Sequence, residues 1–94
     1  MEGISPLADF FNATKKDGRI SITHIGIYAS LLQYWQAHGY ENPLNVCSYE
    51  VMELAKVSSP HTYRRCVKSL HDFGYIRYEP SFKRNQRSKV YLLL

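Results

Sequence analysis

Apolar side chains recur every three or four positions in three stretches of the chain, and every second position in two more. The first stretch carries Ile27, Leu31, Tyr34 and Trp35, widened by Tyr28 and Leu32, and predicts a central helix. Thr23 is the expected N-cap. The helix should stop near "HGYENP", where Gly39 offers a C-terminal cap and Pro43 forbids continuation. "LNVC" follows as one small strand. Ser48 should cap a short helix over "YEVMELAKV", with Val51, Leu54 and Ala55 inward and Glu50 in the first turn, where a carboxylate favours the helix dipole. The third helical stripe is Tyr63, Cys66, Val67, Leu70 and Phe73. Ser58 or Ser59 caps it, and Pro60 suits the first helical position because its missing donor costs nothing there. Gly74 ends it in the left-handed conformation that glycine adopts cheaply. "YIRYE" and "KVYLLL" alternate as strands around the polar, basic "PSFKRNQRS", which makes a hairpin.

The first 20 residues are less patterned. "PLADFFNATKKDG" reads as a short helix ended by Gly18, with Leu7, Phe10 and Phe11 packing inward, and "RISI" as a brief extended entry. The expected fold class is therefore α+β, mainly α. Residues 1–20 form an N-terminal extension, and residues 21–94 run helix, strand, helix, tight turn, helix, strand, basic loop, strand. That is the order of a winged helix-turn-helix: three helices form the core, the hairpin covers their apolar faces, and the third helix protrudes.

With 94 residues and 45% hydrophobic residues, the chain makes one small domain with a modest core. No run is long enough to span a membrane, and "MEGISPLADFF" lacks the basic start and apolar centre of a signal peptide, so a cytoplasmic, nucleoid-associated location is expected. Cys47 and Cys66 fit a reducing compartment as buried thiols. Neither they nor His24, His38, His61 and His71 show metal-ligand spacing.

Charge alters the picture more than composition does. Residues 1–58 hold four Lys/Arg against six acids, net −2, while residues 59–94 hold eight against two, net +6, giving the chain its total of +4. The asymmetry points to a polyanion partner for the C-terminal half. On charge alone, a solvated basic face explains it equally well.

"SYEVMELAKVSSPHTYRRCVKSLHDFGYIRYEP" resembles the winged helix-turn-helix domains of bacterial transcription regulators and replication-initiation proteins. It is most similar to the small single-domain winged-helix proteins of bacterial integrative and mobilizable elements, which serve as regulators or excision factors. The likeness covers about Ile22 to Leu93, and its most telling piece is "TYRRCVKSLHDFGYIRY". It implies sequence-specific binding of double-stranded DNA by the third helix and the wing. Within that picture Ser59, His61, Thr62 and Arg65 face the major groove. Arg64, Lys68 and Tyr49 touch flanking phosphates. Lys83, Arg84, Arg87 and Lys89 bind phosphates or enter a minor groove, with Asn85 and Gln86 adding hydrogen bonds. Large regulator families carry a C-terminal dimerisation helix that this sequence does not show. The implied partners are thus DNA, a second copy as homodimer or side by side on DNA, and a recombinase or replication protein.

Other classes are less well supported by the residues. There is no Gly-rich phosphate loop, nucleophile elbow or carboxylate pair with a plausible pocket, so neither an enzyme nor a cofactor is expected. RNA binding lacks an RNP-like aromatic sheet or a GxxG clamp. The main rival is a winged-helix protein-interaction module in a recombination or replication complex. Such a module should expose apolar residues on the third helix, where this chain exposes Arg, Thr, Ser and Lys. Tyr63, Tyr75, Tyr78, Tyr91 and Trp35 read as packing residues.

Overall fold

Seven elements follow one another in the computed structural model, which describes residues 6–80 and 87–93. They are α1 (Pro6–Thr14), α2 (Ile22–Ala37), β1 (Leu44–Val46), α3 (Ser48–Ala55), α4 (Pro60–Asp72), β2 (Ile76–Glu79) and β3 (Ser88–Leu92). Among the described residues this is a mainly helical α+β architecture, with four helices and one three-stranded antiparallel sheet. No helix there is long and apolar enough to cross a membrane.

The helix starts differ from expectation at two places. Ser21, not Thr23, caps α2: its hydroxyl accepts from the His24 backbone N–H at 3.4 Å, and the Ser21 N–H donates to His24 Nδ1 at 3.0 Å. His24 takes the place of the Glu or Gln that usually completes a capping box, which is why the residue pattern pointed two positions too late. Cys47, not Ser48, occupies the N-cap of α3, without a side-chain cap bond. At α4 the open choice between two serines resolves to Ser59, whose Oγ accepts from Thr62 N–H at 3.2 Å with Pro60 in the first turn.

Three helices close in the same way. The N–H of Tyr40 reaches Trp35 O at 2.8 Å, that of Val57 reaches Met52 O at 2.9 Å, and that of Tyr75 reaches Leu70 O at 2.9 Å. Each closure needs a left-handed residue just before the donor: Gly39 (φ 75°), Lys56 (φ 60°) and Gly74 (φ 88°). Glycine takes that conformation without strain, whereas Lys56 places a Cβ against its own carbonyl. Lys56→Gly should therefore raise the unfolding free energy by about 0.5–1 kcal/mol, after the extra entropy of the unfolded glycine chain is offset. Urea denaturation measures this, and an unchanged or lowered midpoint would contradict it.

The sheet contains one partnership beyond the expected hairpin. β3 is central, pairing Ile76 with Leu92 on the β2 side and Leu44 with Val90 on the β1 side. Asn42 prolongs the β1–β3 ladder with its side chain, donating to Leu92 O and accepting from Leu92 N–H, both at 3.0 Å. Leu44, Val46, Ile76, Val90 and Leu92 face the helices and are at most 2% exposed. Asn45, Arg77 and Lys89 lie exposed on the sheet's other face.

The core joins these strands to Ile27, Leu31, Val51, Val67 and Leu70, all fully buried. Phe10 anchors α1 by stacking on Tyr28 at 3.9 Å between ring centroids. Asp17 ties the following turn down, accepting from Arg19 at 2.8 Å and from the Tyr75 hydroxyl at 2.6 Å. Those two donors hold the Asp17 carboxyl well below the usual carboxylate range.

Several expected inward positions differ. α1 ends at Thr14 rather than at Gly18, and Phe11 is 46% exposed. On α3 the buried pair is Val51 and Met52, while Leu54 is 48% exposed, because α2 and α4 cover a different arc of this two-turn helix. Phe73 is half-buried at the end of its stripe, with the Arg19 guanidinium 4.0 Å from its ring centroid. Cys66 is buried, and burial pushes its thiol pKa up; Cys47 is only half-buried. Both are free thiols.

Candidate nucleic-acid interface

α4 is amphipathic in the strict sense. Tyr63, Cys66, Val67 and Leu70 are buried, and His61, Arg64, Arg65 and Lys68 are exposed at three- and four-residue spacing on the other side. Thr62 and Ser69 flank this face half-buried, and the Ser69 hydroxyl donates to Arg65 O at 2.9 Å. Ser59 is half-buried and committed to the cap through its oxygen, which leaves its hydroxyl proton available to an acceptor outside. The helix is held at both ends, by Ser59 and by the Gly74 closure. A third tie comes from His71, whose Nδ1 accepts the Tyr78 N–H of β2 at 3.0 Å.

What distinguishes this face is the absence of ion pairs. Among the described residues, Arg19 pairs with Asp17 at 2.8 Å, Arg77 with Glu79 at 3.0 Å and Arg87 with Glu50 at 3.3 Å. Arg64, Arg65 and Lys68 have no carboxylate partner there. Three exposed cations thus stand without an ion pair on this helix among the described residues, and the exposed Asp72 is the one acid on α4, one turn beyond Lys68.

The other candidates fall into three different places. Tyr49 stands 73% exposed on α3, beside Glu50 and Glu53 in a groove against α2. Arg87 is part of a network: its guanidinium donates to the Tyr34 hydroxyl and to Glu50, and Tyr34 in turn donates to Glu50 Oε1 at 2.9 Å. This joins the base of β3 to α2 and α3, a link between residues 37 positions apart that no local pattern reveals. The network leaves the Tyr34 phenol harder to ionise than usual, mainly through desolvation and then through the Glu50 contact. Lys89 lies exposed on the outer sheet face, opposite Glu79 in the strand register. Lys83, Arg84 and Asn85, together with Gln86, lie outside the described residues. The structure thus brings Ser59, His61, Thr62, Arg64, Arg65 and Lys68 together and separates Tyr49, Arg87 and Lys89 from them.

His24 couples the start of α2 to this basic helix. It is 9% exposed, Nδ1 is used by the Ser21 cap, and Nε2 is buried without a partner among the described residues. Desolvation, then the nearby Arg65 charge, depress its pKa below 6.5, with Asp17 opposing. A histidine that charges more easily unfolded than folded contributes stability that is full above the unfolded pKa. That contribution is lost as pH falls from about 6.5 towards the folded value. Protonation also removes the Nδ1 acceptor from the cap. The thermal midpoint should therefore fall between pH 7 and pH 5.5, before the carboxylates titrate, and His24→Asn should flatten that slope. An equally steep slope in His24→Asn would place its origin elsewhere.

No group of three or more His, Cys, Asp or Glu side chains among the described residues is arranged to hold a metal ion. No protein-family model matches the chain, and no curated protein or solved structure shows significant similarity to it.

Proposed function

We propose that the protein binds double-stranded DNA in a sequence-specific way as a winged helix-turn-helix, serving as a transcription regulator or as a regulatory or excision factor of a mobile element. The carrying observation is the cationic face of α4, whose Arg64, Arg65 and Lys68 form no ion pair among the described residues, on a helix fixed at both ends. Two features of the fold support the reading. α3 and α4 are joined by only four residues, 56–59, and the β2–β3 hairpin follows α4 directly. The wing in this reading includes Lys83 and Arg84, and Arg87 acts chiefly by holding the wing base to the body.

In this mechanism α4 enters the major groove by its N-terminal half. Arg65, His61, Thr62 and Ser59 meet base edges, Arg64 and Lys68 take the flanking phosphates, and the wing cations grip adjacent backbone. Nothing in the process is catalytic. The deciding experiment is binding to mixed-sequence duplex across a salt series, followed by selection from a random library. With about four phosphates neutralised, log K should fall with log salt at a slope of about −4, and one motif should be enriched. No binding at low salt overturns the reading.

A further inference from the structure

Two exposed patches outside the cationic face of α4 have opposite character. The first is a groove of about 370 Å³ between α2 and α3, lined by Tyr34 and His38 on one side and Tyr49, Glu50, Glu53 and Leu54 on the other. Its apolar members are unusually open for their type, Tyr49 at 73% and Leu54 at 48%. Glu50 is engaged by Tyr34 and Arg87, whereas Glu53 has no cationic partner among the described residues. The second patch is the outer face of α1. Phe11 is 46% exposed there, and Lys15 and Lys16 follow in the turn just after the helix ends at Thr14; both lysines are exposed and unpaired among the described residues.

We infer that the groove receives the α1 face of a second copy of this chain, with Phe11 seated against Tyr49 and Leu54 and with Lys15 and Lys16 facing Glu53. Three observations select this occupant. The patches match in both respects that matter, an aromatic side chain for an apolar floor and cations for an acidic rim. Among the described residues, the cationic face of α4 exposes no large apolar side chain and so does not suit the groove. The patches also lie apart on α2: no residue of α1 lines the groove. α1 packs at Tyr28, near the middle of α2, while the groove runs from Gln33 to His38, about 8 to 15 Å further along the axis. One molecule does not bring its own patches together, and two copies meet head to tail. Such a contact is heterologous: it continues into an array unless its rotation closes a ring. It uses neither Arg64, Arg65 nor Lys68, and it does not rest on the DNA reading.

Sedimentation velocity of the full chain without DNA tests the inference. Over micromolar to millimolar protein the weight-average mass should rise with concentration, less so at high salt because the rim pairs are exposed. Glu53→Lys, and separately Lys15→Glu with Lys16→Glu, should each weaken association about tenfold or more by opposing like charges. Mixing those two variants should restore it, since every contact between one variant and the other then joins opposite charges. Leu54→Ser gives a charge-independent check. All of these positions are exposed, so circular dichroism should show an unchanged fold. A wild-type chain that stays monomeric at millimolar concentration overturns the inference, whatever else the groove binds. So does a mixture no more associated than its components.

Discussion

Replacing Arg64 and Arg65 together with alanine is expected to lower affinity for duplex DNA about a hundredfold or more, with the thermal midpoint almost unchanged. Each arginine in a base or phosphate contact is worth about 1–3 kcal/mol, and every 1.4 kcal/mol is a factor of ten. Both side chains are exposed and unpaired among the described residues, so their removal takes nothing from the core. The single variants should differ in kind. Arg65→Ala should flatten the preference among sequences, while Arg64→Ala and Lys68→Ala should weaken all sequences alike and reduce the salt slope by about one each. Arg77→Ala serves as a control, because Arg77 is paired with Glu79 on the outer sheet face. Fluorescence anisotropy with a selected site and a scrambled duplex distinguishes these outcomes. A double variant that binds like the parent would remove α4 from the interface and with it the proposed mechanism.

The largest effect on stability is expected at Leu70. It is fully buried at the junction of α4 with the sheet, so Leu70→Ala should cost about 3–4 kcal/mol through lost burial and an incompletely collapsed cavity. For a small domain, whose total stability is of the order of 5–10 kcal/mol, that is a large share. The backbone closure at Tyr75 uses the Leu70 carbonyl, which alanine retains, so the loss reports packing alone. Leu54→Ala is the matched comparison: the same residue type, half exposed on α3, should cost well under about 1 kcal/mol. Urea titrations should show a lowered midpoint with unchanged slope for Leu70→Ala only. Equal losses at the two positions would mean that the burial described for α3 and α4 is wrong.

The two predictions meet at one physical point. A recognition surface needs its side chains held still, and α4 is held by Leu70 and Val67 beneath, by Ser59 and Gly74 at its ends, and by His71 against β2. Function, in the proposed reading, uses the face that stability leaves free. The proposed head-to-tail contact would use other regions, the groove between α2 and α3 and the end of α1, so the three properties are separable by mutation.

Short-range physics made much of this legible in the residues. Pro60 after a serine, the buried stripe of α4, the glycine closures at Gly39 and Gly74, and the crowding of positive charge after Ser59 all depend on neighbours within one or two turns. The cationic face of α4 belongs to the same class, since three- and four-residue spacing alone puts Arg64, Arg65 and Lys68 together. Other features required the chain to come back on itself. β1 found its partner in β3, Asn42 became a rung beside Leu92, and Asp17 met Tyr75 across 58 positions. Arg87, which reads locally as one more wing cation, is drawn to Tyr34 and Glu50 instead. Which of Met52 and Leu54 turns inward was likewise settled by where α2 and α4 press on a helix of only two turns. Periodicity says that a face is apolar; only the packed neighbours decide which arc of it is covered, because burial is a property of contacts and not of sequence.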